Sequence, residues 1–356
     1  MSQSPLFQYY TTQKKQDLEI LICEDSKEAS ELESVAKFFK KDTLLFPDFR
    51  PSFGDDLRVY KEELHQLFSS LRTYYKAKKK PLIISPLKTL LFHLPKESLL
   101  ESTSLEFGGK IDLKSFKEKM LFWGYNFVDM VQVEGEISFR GDIIDIYTPS
   151  AQLPVRISLF DDEIEQIKLF ELESQRTQKE ELDSFLITPA FYSLDEDEFN
   201  DLDSKVKNSE FDSMIKDVAS LGLWHLDDKA INFLDGKNVK LSRNLDNLLV
   251  DSYALNNPTV SREEFNLDML EDSDNFKDLV VADIKTLLKV HKDKKITIIA
   301  SNKAVMKQVG LFDLSNITEV YAPYILNILT PEELVISLNK PDKQRRRRKS
   351  SILLDD

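Results

Sequence analysis

Few residues in this chain have the types and spacing that chemistry requires. A loop that cradles nucleotide phosphates needs backbone N–H groups, a lysine and a Mg²⁺-holding hydroxyl, written G-x-x-x-x-G-K-[ST]. The two Gly-Lys pairs, Gly109-Lys110 and Gly236-Lys237, are followed by Ile111 and Asn238, and neither has the upstream glycine. With only 9 Gly in 356 residues, the stretch is expected neither to bind nor to hydrolyse nucleotide, and no cofactor is expected in it. None of His65, His93, His225 and His291 has a second histidine four residues on or a cysteine cluster nearby, so no metal centre is expected. Cys23 lies inside an apolar run, there is no Gly-x-Ser-x-Gly elbow, and the 62 carboxylates are too widespread to single out a dyad. We therefore expect no catalytic residue.

The more specific pattern is suited to recognition. In Val155-Arg-Ile-Ser-Leu-Phe160, alternation puts Val155, Ile157 and Leu159 on one face of a strand and Arg156, Ser158 and Phe160 on the other. In Ile137-Ser-Phe-Arg140, Ile137 and Phe139 point one way, Ser138 and Arg140 the other. Arginine and an aromatic on a non-core face form the residue mix enriched at interface hot spots. The same spacing also fits a Phe160 that closes the core at a hairpin end, with both arginines in ordinary surface pairs.

The elements that must position these residues follow from the apolar patterning. Leu18–Cys23, Thr43–Phe46 and Pro81–Ser85 read as strands, the first a nearly continuous apolar run of the kind buried on both faces. Helices are expected after Asp25, over Asp55–Tyr75 and from Pro86 to Phe92, and the alternation argues a parallel α/β sheet. After a helix at Asp112–Trp123 come short strands at Phe127–Val133, Glu136–Arg140, Asp142–Tyr147, Val155–Phe160 and Glu163–Phe170, with turns tight enough for antiparallel pairing. Helices return from about residue 191, and strand-like runs recur at Lys295–Ile299, Thr318–Tyr321 and Glu333–Ser337. The expected architecture is thus an α/β layer interrupted by a small β-rich insertion and then resumed. A net charge of −14 disfavours wholesale nucleic-acid coating. The single cysteine fits a reducing cytosol, and neither a signal peptide nor a membrane-length apolar run is visible.

One ordered string of residues resembles a known family. Gly124-Tyr125-x-x-Val128-Asp129-x-Val131, Glu134-Gly-Glu-x-x-x-Arg140-Gly-x-x-x-Asp145, Pro154-x-Arg156-x-x-x-Phe160-Asp-Asp-Glu-Ile164 and Ser174-Gln-Arg176 are similar to the UvrB-homology module of bacterial transcription-repair coupling factors (Mfd). The likeness is strongest over residues 120–176 and weak over 195–295. It implies an N-terminal fragment of a protein about three times longer.

The resemblance implies a helicase-lobe-like α/β domain, P-loop NTPase-like but degenerate, split by a β-rich antiparallel insertion that recruits the damage-recognition ATPase UvrA. The implied domains are 1–110 and 191–340 for the two parts of the α/β domain, 111–190 for the insertion, and 341–356 for a basic linker. Arg140, Arg156 and Phe160 match the family's UvrA-contacting positions. The resemblance also implies a full-length ATP-dependent DNA translocase that displaces stalled RNA polymerase. Polymerase, DNA, ATP and Mg²⁺ would engage domains outside this stretch, and a C-terminal domain would mask the insertion. A cytoplasmic, non-catalytic recruiting module is therefore expected. The alternative is a DNA-engaging helicase-type lobe using the Arg345–Lys349 basic block as its phosphate contact. Residues 112–190 carry 8 Lys and Arg against 16 Asp and Glu, so long-range attraction to an acidic partner is poor.

Overall fold

A computed structural model describes residues 4–12, 17–149, 151–212, 216–226, 228–245, 268–270, 277–278, 283–307 and 316–340. The basic block expected to be a linker lies outside these residues. The chain divides into two units, one made of residues 16–33 and 40–270, the other of 1–15, 34–39 and 271–356.

The larger unit contains a four-stranded parallel sheet in the order Val239–Leu241, Ile20–Cys23, Leu82–Pro86, Thr43–Leu45. Ile20 sits opposite both Val239 and Ile83, so the Ile20–Cys23 strand is central and buried along its length, as its unbroken apolar run demands. The helix expected over Asp55–Tyr75 forms in two pieces. Asp56 accepts a hydrogen bond from the Arg58 backbone N–H (3.0 Å) and caps a 3₁₀ turn, Leu57–Tyr60, before the α-helix Lys61–Lys76. That helix buries Leu64, Leu67, Phe68 and Leu71 in a core shared with Phe191 and Tyr192.

The insertion packs the helix Leu113–Phe122 on a five-stranded sheet. Strand order is Glu163–Leu169, Val155–Phe160, Ile143–Tyr147, Glu136–Arg140, Asn126–Phe127. The pairs are antiparallel except the last, which is parallel. The strand expected over Phe127–Val133 is only Asn126–Phe127, because the chain turns where the Glu136 carboxylate accepts from the Gln132 (2.7 Å) and Val133 (3.0 Å) backbone N–H groups. Met120, Ile137, Ile144, Val155, Ile157 and Ile167 fill the insertion's core.

In the smaller unit the late strand-like runs are strands, but they pair with one another. Lys295–Ala300 lies between Ile317–Tyr321 and Glu333–Ser337, parallel to both, over a separate core of Leu288, Ile296, Ile298, Leu334 and Ile336. The strand that returns to the first sheet is Val239–Leu241. The protein is thus mixed α/β with parallel and antiparallel sheets. Among the described residues, no helix is long and apolar enough to cross a membrane.

Candidate partner-binding face

The Val155–Phe160 strand alternates as its sequence predicts: Val155, Ile157 and Leu159 are buried, Arg156 and Ser158 are half-buried, and Phe160 is exposed. Register extends this outer face across the sheet. Asp145 lies opposite Ser138 on one neighbour and Arg156 on the other, while Ile143 lies opposite Arg140 and Ser158. Lys168 continues the first row and Gln166 the second.

Asp145 organises this face. Its carboxylate is 1% exposed and takes three guanidinium hydrogen bonds. Arg156 Nε donates to Oδ1 (2.7 Å), Arg156 Nη2 to Oδ2 (2.8 Å), and Arg140 Nη2 to the same Oδ2 (2.5 Å). The Arg156 guanidinium also lies 4.9 Å from the centroid of the buried Phe170 ring, and its Nη1 donates to the Gln175 carbonyl (3.3 Å). The Asp145 hydrogen bond is the main reason that the Arg156 pKa rises above its ordinary value. A bidentate, ring-stacked arginine on a buried carboxylate is fixed in orientation. Lys168 pairs with Glu181 (3.0 Å), to which Gln166 also donates (2.7 Å).

The three predicted residues therefore share one face, but they differ in character. The Arg140 side chain is 49% exposed, whereas that of Arg156 is 19% exposed and largely committed to Asp145. Phe160 is 70% exposed, so it does not close the core. It stands beside the hairpin turn at Asp161, whose φ of 53° is left-handed. Reading the strands one at a time missed Asp145 as a hub. The available signal was an ionisable residue in the middle of the otherwise apolar Ile143-Ile-Asp-Ile-Tyr147 strand.

The remaining candidates are accounted for by local contacts. Gly109 turns the chain through its N–H to the Glu106 carbonyl (3.0 Å), and Lys110 pairs with Asp162 (3.0 Å). Lys237 lies over the Phe233 ring at 4.6 Å. Where the Ile20–Cys23 strand enters the helix Ser26–Phe38, the turn carries acids: Asp25 accepts from Glu28 N–H (2.8 Å), and Glu28 accepts from Ser242 Oγ (2.9 Å) and Glu24 N–H (2.9 Å). Arg243 pairs with both Glu24 (3.1 Å) and Glu28 (3.3 Å). His65 is buried, with Nε2 3.1 Å from the Ala190 carbonyl and Nδ1 3.3 Å from Glu134. Burial drives the Cys23 thiol pKa upward, away from nucleophilic character. Among the described residues, no cluster of three or more His, Cys, Asp or Glu could hold a metal ion.

Residues 103–192 match the family described as the UvrB interaction domain. The chain is 38% identical to the transcription-repair-coupling factors of Helicobacter pylori strains 26695 and J99, over all of its own length and 36% of theirs. It is 28% identical to that of Haemophilus influenzae over 50% of this chain and 16% of that protein. It thus spans about a third of the length of the H. pylori relatives. The outward face built on Asp145 lies within the matched segment, which bears out the resemblance read from residues 124–176: residues 103–192 match the UvrB interaction domain family, in a chain similar along its whole length to part of the transcription-repair-coupling factors.

Proposed function

We propose that this chain is a non-catalytic recruiting module in transcription-coupled nucleotide excision repair, and that it binds UvrA through Arg140, Arg156 and Phe160. The observation that carries this reading is the 70% exposed Phe160 on the same face as two arginines oriented by one buried carboxylate. An exposed aromatic beside oriented guanidiniums supplies an apolar anchor and donor edges for a partner's acidic groups. The flanking parallel sheet is, on this reading, a helicase-type lobe whose phosphate loop has degenerated. The carboxylates of Glu24, Asp25 and Glu28 at the strand-to-helix turn would repel a triphosphate from the place where such folds hold one. ATP and Mg²⁺ chemistry, DNA translocation and polymerase contact belong on this reading to the remainder of a longer protein, as does a C-terminal domain that masks the face.

The test is titration of UvrA against the chain and its Arg140→Ala and Phe160→Ala variants. Loss of binding in both, with folding retained, is the expected result. Unchanged binding in both would overturn the assignment.

A further inference from the structure

Beside the face built on Asp145, the insertion and the helix Lys61–Lys76 border a groove of about 860 Å³. Val59 of the 3₁₀ turn and Glu62, Glu63 and Gln66 of the helix line one side, with the spacing of a single helical face. Val133, Tyr147 and Leu172 of the insertion line the other. The groove is continuous with the arginine face at two places. Tyr147 lies two residues beyond Asp145 on the same strand, hence on the same side of the sheet. It stands opposite Glu136, whose carboxylate holds the Gln132 and Val133 N–H groups. Gln175 accepts from Arg156 through its carbonyl and donates through Nε2 to the Leu172 carbonyl (2.8 Å). A standard protein interface covers about 800 Å² on each partner, which Arg140, Arg156 and Phe160 alone do not fill.

The groove offers apolar surface and negative charge together. Val59 is 78% exposed and Val133 52%, one from each side. Its cations are engaged. Arg58 pairs with Asp56 (2.6 Å) and Asp217 (3.3 Å), and Lys61 packs against Gly135 with the charges of Glu136 and Glu134 acting on it. Glu134 also faces His65 Nδ1 (3.3 Å). Glu62 and Glu63, in contrast, form no ion pair among the described residues. Aliphatic tips beside uncompensated carboxylates favour a segment that carries lysine or arginine next to an aliphatic side chain, and they repel an acidic one.

We propose that this groove is a second docking site for the partner of the arginine face, and that it takes a short basic segment of that partner with an aliphatic side chain against Val59 and Val133. The inference rests on the UvrA reading and extends its footprint from the insertion onto the helix Lys61–Lys76. The two halves of the footprint have opposite polarity: guanidiniums for the partner's acids on one, Glu62 and Glu63 for its bases on the other. Such a pair of patches fixes the orientation in which the partner docks.

Calorimetric titration of UvrA against the full chain tests this with a Glu62→Gln, Glu63→Gln double variant and with Val59→Ser, urea unfolding serving as the check on folding. Neutralising the two carboxylates should weaken UvrA binding about fivefold, since two exposed charge pairs are lost. Val59→Ser should weaken it about threefold, through lost apolar contact. Undiminished binding in both, with Arg140→Ala and Phe160→Ala still impaired, would overturn the groove and leave the UvrA reading standing. Undiminished binding in all four variants would overturn both. Tighter binding by the double variant would assign the groove to an acidic segment and so overturn the proposal. Self-association of the chain that the same changes abolish, with UvrA affinity untouched, would assign it to a second copy and overturn the proposal equally.

Discussion

Arg156 and Phe160 lie four residues apart on one face of one strand, yet truncating them should have opposite consequences. Arg156→Ala removes two hydrogen bonds, of 2.7 and 2.8 Å, from a carboxylate that is 1% exposed, and uncovers Phe170. Arg140 remains on Asp145, so the loss is smaller than full isolation of a buried charge, which costs about 3–5 kcal/mol. We expect a loss of about 2–4 kcal/mol in folding stability. Phe160→Ala removes a side chain that is 70% exposed, and stability should change by no more than about 0.5 kcal/mol. In a complex, covering that exposed ring contributes about 70% of the roughly 1.5–3 kcal/mol of a fully buried Phe, or about 1–2 kcal/mol. Its loss would weaken UvrA binding about five- to thirtyfold. Urea unfolding followed by tryptophan fluorescence reports on the insertion through Trp123, which lies in its core. Equal destabilisation by the two substitutions, or an Arg156→Ala variant as stable as the parent, would refute the reasoning.

Three further outcomes follow from the geometry. Gly124→Ala should cost about 2 kcal/mol or more in unfolding experiments, since φ is +79° and the new methyl would lie 2.7 Å from Phe191 Cβ. The Arg58 side-chain hydrogen bond holds the Asp56 carboxyl below its ordinary pKa, so this contribution is present above an unfolded pKa of about 4 and lost as pH falls through the folded value. Asp56→Asn should flatten stability against pH in that acid window, and an unchanged slope would count against the assignment. Calorimetry should detect no ATP binding to this chain; micromolar affinity would contradict the acidic strand-to-helix turn.

Much of the fold was legible because burial leaves a periodic mark. The Ile20–Cys23 run is apolar without interruption and Leu82–Pro86 is broken only by Ser85, and both lie buried inside the parallel sheet. Alternation in Val155–Phe160 placed every side chain on its correct face. What failed depended on single polar contacts or on distant partners. One carboxylate, Asp56, caps the 3₁₀ turn with which the otherwise continuous amphipathic pattern opens ahead of the α-helix. Another, Glu136, ended a strand early by capturing two backbone N–H groups. Apolar runs at Lys295–Ala300 and Glu333–Ser337 indicate burial on two faces but not the sheet in which it occurs, since that is set by hydrogen bonding between strands far apart in sequence.

The site shows the same division between local and distant information, and the distant part alters its chemistry. Local alternation identifies Arg140, Arg156 and Phe160 as outward-facing, which suggests two free cations beside an aromatic. The cross-strand register brings one buried carboxylate beneath both guanidiniums, so half of their charge is compensated before any partner arrives. The single positive charge that remains is small beside the net −8 of residues 112–190, so the proposed face relies on short-range contacts rather than on long-range attraction. The buried carboxylate also reduces the ordering cost of association, because Arg156 is already fixed by Asp145 and Phe170 and loses little rotamer freedom on contact. Affinity at such a face would come from Phe160 burial and from the unshared N–H edge of the more exposed Arg140, while Asp145 and Arg156 hold the surface on which both stand.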